Sequence, residues 1–540
     1  MNKLIWLLLL LAFLVFSFTQ FWSCRPEQVE QQKVKNLIIM IGDGMGFQQL
    51  GLLNAYVKYA PHSIYIARKR TSALEQVIAA GELGFVYHEA ANALVTDSAA
   101  ASSQMASGQW TGVEMLGADV SGNPVITILE KAKQHGKATG LVSDTRITHA
   151  TPAGFIVHQA NRYDENNIAL KLGASGIDVL LSGGLRHWIP QSVNEPDSHQ
   201  ARLIKTMISD SFPLESKRKD ERNLLREAKN KGYTLVFNRQ QLQRTNTDQL
   251  LGLFSNSIMP DAIQESALKH DPDRNFPTLK ELALKAMEIL SRNEEGFFLM
   301  IESGQIDFAC HNNDAGRLLH EMIRFDETIA AVYNWVQQRD DTMLIITADH
   351  ETGGVSFSYA RHNIPQPKDL PGKLFSHTQF KPNYNYGHHQ LLDKLYHQKA
   401  SYNAIFDIFD SLPSEQQTPD RLAEIVNAHL EFKITPHDAM TILTREINEY
   451  YQPEHKYLKI RTFPKINDFR EFYVYGNRIR ANILARIVAK DQMTVWSTGT
   501  HTNTPVPLIV LGSQQSSDGF SKLLHSTEWA QQAMNVFVPE

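Results

Sequence analysis

Six short apolar runs constrain this chain more than any other feature. Asn36–Ile41 stops at Gly42-Asp43-Gly44, Thr139–Val142 at Ser143-Asp144, and Val179–Leu181 at Ser182-Gly183-Gly184. Gly296–Ile301 stops at Glu302-Ser303-Gly304, Thr342–Thr347 at Ala348-Asp349-His350, and Val506–Leu511 at Gly512. Runs this short that do not alternate between apolar and polar residues fit strands covered on both faces, as in a parallel sheet. Helical stretches such as Val125–His135 and Thr278–Ser291 lie between them. Alternating strands and helices predict an α/β fold, with a doubly wound, mostly parallel central sheet and helices on both faces. Asp43, Glu302, Asp349 and His350 each follow the end of such a strand. Sites in open α/β sheets form outside the carboxyl ends of the strands, so these distant residues are expected to converge.

The remainder of the chain divides around this pattern. A basic start, Met1-Asn2-Lys3, precedes an apolar run from Leu4 to Phe18. The run has signal-peptide length and is short for a membrane span, so residues 1–23 are expected to be a targeting segment. Cys24 directly after Ser23 allows cleavage before it and lipid attachment to it, although Phe21 and Trp22 are larger than usual for such a signal. The outcomes are a periplasmic or membrane-anchored lipoprotein, a secreted soluble form or a retained anchor; export is common to them. Residues 24–35 form a polar linker, and the sheet pattern occupies 36–359 and 498–540. Residues 360–497 are rich in Tyr, His and Gln, with amphipathic helices expected at Arg421–Glu431 and Pro436–Tyr450. They are expected to form a helical, crown-like insertion folded over the site or at an interface. Residues 186–275 fit the sheet pattern poorly, with a helical-looking stretch at Glu215–Lys231. A net charge of −5 and a pI of about 6.5 give no basic footprint, so no nucleic-acid-binding module is expected. Cys24 and Cys310 are the only cysteines. Once Cys24 is removed or lipidated no intramolecular disulfide remains, and stability must come from the core and from metals.

Several segments carry chemistry. Asp43 sits between glycines that allow a sharp turn or a close ligand, so it is either a turn former or a metal ligand. Ser98, in Thr96-Asp97-Ser98-Ala99-Ala100-Ala101, precedes a helix-forming run. It is either part of a simple N-cap or a nucleophile placed where amides and dipole favour a phosphoryl oxygen. No Gly-x-Ser-x-Gly elbow surrounds it, so an ordinary esterase triad is not indicated. Asp307 and His311 stand four residues apart and share a face if helical, as a metal pair requires. Glu302 suits a harder ion, Asp349-His350 adds a carboxylate–imidazole pair, and His501 precedes the last apolar run. Each histidine alone is more often structural than ligating; the whole set beside strand ends argues for metals.

Taken in order, these segments resemble the alkaline phosphatase family, from about residue 36 to 354 and again from about 497 to 512. The resemblance implies a catalytic domain of 36–359 with 498–540. It places one zinc on Asp307, His311 and His501, and a second on Asp43, Asp349, His350 and, during reaction, Ser98. A magnesium-type site would use Asp43, Thr151 and Glu302. Arg162 follows Thr151 by eleven residues, the family's spacing for the arginine that grips phosphate. Its fork binds two non-bridging oxygens of a monoester, which argues against diesters. The implied reaction is hydrolysis of phosphate monoesters through a phosphoserine on Ser98, with two Zn²⁺ and one Mg²⁺, in a homodimer. A phosphodiesterase or sulfatase of the same superfamily, or a non-catalytic exported metal- or phosphate-binding protein, are the alternatives. Two positions depart from some relatives. His149, beside the magnesium ligands, replaces an aspartate, and Phe308 replaces a lysine and its charge near the phosphate. His388-His389 is expected to be a solvated pair.

Overall fold

A computed structural model of the chain describes residues 34–539 apart from Pro196, Asp210, Asp468 and residues 514–516. The targeting segment 1–23, Cys24 and nearly all of the linker lie outside the described residues. Ten strands form one sheet: β1 Asn36–Gly42, β2 Glu82–Tyr87, β3 Ala138–Arg146, β4 Val179–Gly183, β5 Thr234–Val236, β6 Leu250–Leu253, β7 Phe297–Ser303, β8 Thr342–Thr347, β9 Val506–Leu511 and β10 Leu523–His525. Their order across the sheet is β10-β2-β9-β8-β1-β7-β3-β4-β6-β5. Every neighbouring pair is parallel except the two made by β9, which runs antiparallel to β2 and β8. The expected α/β class and doubly wound, mostly parallel sheet hold.

The central strands β1, β7 and β8 are buried along their whole length, as their unbroken apolar sequence requires. Each Leu or Ile removed from water there contributes about 1.5–3 kcal/mol. Four helices bear on the site, α1 Ser98–Ser107, α3 Gln305–His311, α4 Ala315–Val336 and α5 Ile479–Gln492, while α2 Leu279–Leu290 packs against β3, β7 and α4. Helix α2 begins at Thr278, which accepts from the Glu281 amide while Glu281 reaches back to the Thr278 amide. This reciprocal cap explains why the helix starts where the sequence suggested.

The poorly patterned region 186–275 contributes β5 and β6, which extend the sheet at one edge. Within the stretch Glu215–Lys231 a helix covers only Leu224–Asn230, narrower than expected. Within 360–497 the helices Pro419–His429 and Pro436–Leu443 form, but the second is shorter than expected. Beyond it Arg445–Ile447 pairs antiparallel with Thr462–Pro464. Helix α5 closes this region, and Asn482 within it donates to the His311 carbonyl oxygen at 2.9 Å and to Asn313 Oδ1 at 2.8 Å. Residues 360–497 are thereby tied to the end of α3. No helix among the described residues is long and apolar enough to cross a membrane.

Candidate active site

Asp43 lies in the turn after β1. Gly44 beside it has φ +76°, and a Cβ there would stand 2.9 Å from the Asp307 Cα. Glycine therefore lets the β1 turn and α3 approach each other. The Gly44 and His350 amides donate to Asp349 Oδ1 at 3.1 and 3.0 Å. The other Asp349 oxygen is left 3.2 Å from His350 Nε2, and Asp43 Oδ1 lies 3.6 Å from the same nitrogen. The Thr151 hydroxyl, on the single turn Ala150–Gly154, donates to Asp43 Oδ2 at 3.5 Å.

Ser98 is the first residue of α1, a helix buried throughout. Asp97 caps it, one oxygen accepting from the amides of Ala100 at 3.2 Å and Glu114 at 2.9 Å. Its second oxygen accepts from Arg162 at 2.8 Å, and Arg162 Nη2 lies 3.4 Å from His149 Nε2. Burial pushes the Asp97 carboxyl up, but Arg162 and the two amides outweigh it and hold the group below the ordinary carboxylate range. Ser98 Oγ stands 3.3 Å from His350 Nε2.

The three histidines share one arrangement. His311 Nδ1 lies 2.7 Å from the Gly499 carbonyl oxygen, and His501 Nδ1 lies 3.0 Å from that of Thr96. A carbonyl only accepts, so both Nδ1 atoms carry the proton and both Nε2 atoms are bare. Thr352 donates its hydroxyl to Asp307 Oδ1 at 2.8 Å, so it accepts from His350 Nδ1 at 3.2 Å. In the neutral ring His350 Nε2 then carries the lone pair as well. Burial pushes the ring's pKa down, but Asp349 beside it outweighs burial and favours the protonated form while no cation is bound. These Nε2 atoms converge with carboxylates: His311 Nε2 is 3.2 Å from Asp307 Oδ2, and His501 Nε2 is 3.7 Å from Asp307 Oδ1.

Glu302 is the penultimate residue of β7, with one oxygen accepting from Ser143 and Thr145. Its Oε1, like Asp43 Oδ1, Asp349 Oδ2 and His149 Nδ1, is buried without a hydrogen-bond partner among the described residues. Burial first, then Asp349, Asp307 and Glu302, push the Asp43 carboxyl far above its ordinary range. Burial and the neighbouring His350 push His501 down to about 3. No lysine or arginine pairs with Asp43, Glu302, Asp307 or Asp349 among the described residues. Buried carboxylates and bare imidazoles with no protein cation between them are a donor set suited to divalent metal. Three groups draw close enough to share an ion: Asp43–Asp349–His350, Asp43–His149–Glu302 and Asp307–His350–His501.

The structure thus brings together every side chain singled out for the site. Ser98, His149, Arg162, Asp307, His311 and His501 line one cleft of about 890 Å³. Asp43, Thr151, Glu302, Asp349 and His350 are buried behind it. His388 and His389 are exposed elsewhere, His389 stacked on Tyr59 at 5.1 Å. Sequence reasoning missed Thr352, although it lies two residues past His350. It also missed Arg478 and Tyr475, which reach the cleft from the region 360–497.

Residues 34–405 match the family model described as alkaline phosphatase. Alkaline phosphatase 3 of Bacillus subtilis strain 168 is 34% identical over 332 residues, covering 60% of this chain and 63% of that protein. Alkaline phosphatase 4 of the same strain is 32% identical over 334 residues, covering 61% of this chain and 64% of that protein. These matches span under two thirds of either relative. The crystal structure of Thermus thermophilus alkaline phosphatase shares the fold with a TM-score of 0.71 at 24% identity, covering 95% of this chain and 93% of that one. With most of its length matched by the family model, this chain belongs to the alkaline phosphatase family.

Proposed function

We propose that the protein hydrolyses phosphate monoesters to an alcohol and inorganic phosphate, with Ser98 as a nucleophile that is transiently phosphorylated. The observation that carries this is the placement of Ser98 Oγ. It stands at the N-terminus of a buried helix, 3.3 Å from His350 Nε2, in the cleft that Arg162 also lines. Helix amides and dipole favour an anion there. Asp97 fixes Arg162 through one nitrogen and leaves the rest of its fork to hold non-bridging phosphate oxygens. Asp97 therefore positions the nucleophile's helix and the phosphate-binding arginine at once.

Asp307, His311 and His501 would hold one zinc, and Asp43, Asp349 and His350 a second. Asp43, Thr151 and Glu302 offer oxygens suited to magnesium, with the His149 imidazole 3.9 Å from Glu302. When bound, these cations would supply the positive charge that favours ionised oxygen on the nucleophile and on the departing alcohol. The chain's own part is to align. Ser98 Oγ attacks phosphorus in line, the ester P–O bond breaks, and water then releases phosphate and restores the serine.

Export rests on the apolar run Leu4–Phe18, and a lipidated Cys24 would hold the enzyme at a membrane surface. Pairing into a homodimer rests on the family resemblance. The test of the reaction is turnover of a chromogenic phosphate monoester against the matching diester and sulfate, near pH 9, with and without chelator. Chelator-sensitive hydrolysis dominated by the monoester is expected. Preference for diester or sulfate would overturn the role given to Arg162. Inactivity on all three with zinc and magnesium supplied would leave a metal- or phosphate-binding protein.

A further inference from the structure

One charged group in the cleft has no part in the proposed hydrolysis. Arg478 caps the start of α5, in the insertion and beyond the residues that match the family model. Its guanidinium lies over two rings, 5.4 Å from the Phe308 centroid and 5.1 Å from that of Tyr475. Its side chain makes no hydrogen bond or ion pair among the described residues, and Nη1 is buried without a partner. A guanidinium carries five donors and cannot shed its charge, so such a group is suited to a ligand with oxyanion character.

Its position separates it from Arg162. Arg162 lies 3.4 Å from His149, His149 meets Phe308 edge-on at 5.8 Å, and Arg478 lies on Phe308. Phe308 and His149 thus link the two arginines through a chain of contacts. Tyr475, the other ring under Arg478, meets His311 edge-on at 5.0 Å, which puts Arg478 on the Asp307–His311 side of the cleft. In-line attack by Ser98 sends the alcohol away from the nucleophile; we take this side as its exit. The other insertion cation at the mouth, Lys456, sits over the Tyr163 ring at 3.2 Å, the ring that Arg162 also borders, and so lies on the Arg162 side. Tyr457 beside it packs edge-on against Tyr475 at 5.0 Å, so the exit has an aromatic wall with Arg478 as the cation on its Asp307–His311 side.

We propose that Arg478 is a specificity-determining residue that binds an oxyanion on the departing alcohol, so that the favoured substrates are phosphate monoesters whose alcohol carries a second negative group, a carboxylate or a further phosphate, on a flat or apolar body. The proposal rests on the phosphatase reading of the site. It also revises the expectation attached to Phe308. The lysine charge missing at that position is answered by an arginine from the insertion, displaced toward the leaving group.

The test compares kcat/KM of the full chain on phenyl phosphate and on its meta-carboxylate, meta-phosphate and neutral meta-carboxamide derivatives. In the wild type the carboxylate, the bisphosphate or both exceed the carboxamide by about tenfold or more, the scale of one well-placed charged contact. Which of the two is preferred identifies the oxyanion. In Arg478→Met the ratio of anionic to neutral substrate falls toward one, and Arg478→Lys retains part of it. The ratio is read within each variant, so a general loss from misfolding does not imitate the effect. A ratio near one in the wild type, or one that Arg478→Met leaves unchanged, overturns the proposal while leaving the phosphatase reading intact. No turnover of phenyl phosphate or any derivative by metal-loaded wild type overturns both.

Discussion

His311 and His501 face each other through their Nε2 atoms at 3.2 Å, across 190 residues of sequence, and neither nitrogen has a proton for the other. Each ring spends its Nδ1 proton on a backbone carbonyl. Two lone pairs at that distance repel, and Asp307 adds negative charge beside them. A divalent cation converts the repulsion into coordination. Metal should therefore stabilise the fold as well as serve the reaction. A cation at a thousand times its dissociation constant contributes about 4 kcal/mol by linkage. Chelation is expected to lower the thermal unfolding midpoint and added zinc to restore it, with elemental analysis tracking occupancy. An unchanged midpoint in protein shown to be metal-free would remove the structural role.

Thr352 joins two proposed ligands, donating to Asp307 while accepting from His350. Thr352→Val keeps the shape and deletes the hydroxyl, freeing the His350 ring to take the other tautomer. Zinc affinity, measured by competition with a chromophoric chelator, is expected to fall about 10- to 100-fold, the usual cost of losing a group that orients a ligand. Unaltered affinity would show that the two ligands are held by packing alone.

Among the described residues Ser98 Oγ has one hydrogen-bond neighbour, His350, and the helix cap belongs to Asp97. Ser98→Ala should consequently leave folding and metal content close to wild type. Loss of the covalent route is expected to lower kcat by more than about a thousandfold. Mass spectrometry after an acid quench should find phosphate on the wild type and not on the variant. Turnover equal to wild type in Ser98→Ala would refute the nucleophile assignment.

How much of the fold and site was legible depended on whether the signal was local. β1, β7 and β8 announce themselves because burial on both faces demands unbroken apolar sequence, and the polar residue that ends each run marks the site. β5 and β6 span only Thr234–Val236 and Leu250–Leu253, too short for a pattern to emerge from the charged sequence around them. The insertion helix expected to reach Tyr450 stops at Leu443 because Thr444 turns extended and Arg445–Ile447 finds a strand partner in Thr462–Pro464, well outside the span of a helical turn. Asp307 and His311 are one helical turn apart, a spacing that sequence displays. Arg478 shows nothing locally. Its position over Phe308 is set by tertiary contacts far away in sequence, among them the bond from Asn482 that ties α5 to the His311 carbonyl.

Glu165 gives a pH-dependent test at the rim of the same cleft. Arg146 grips it through Nε at 2.7 Å and Nη2 at 3.0 Å, and Thr148 donates to it at 2.6 Å. Burial pushes the carboxyl up, but Arg146, His187 and Thr148 outweigh that and hold it well below the ordinary range. Its side chain is 16% exposed, so solvent screening does not erase the pair. A depressed folded-state pKa stabilises the fold fully above the unfolded value, about 4.3 for glutamate, and the contribution is lost as pH falls toward the folded value. Glu165→Gln imitates the protonated side chain and should be less stable than wild type at pH 7 by about 1.5–3 kcal/mol, the worth of hydrogen bonds to a charged group. The gap should begin to close below about pH 4.3 and continue closing as acid is added. Because the proposed metal ligands protonate equally in both proteins, the difference between them isolates Glu165. Urea unfolding of the two proteins from pH 7 to pH 3 measures it, and a gap that stays constant across that range would show that Glu165 acts by shape and not by charge.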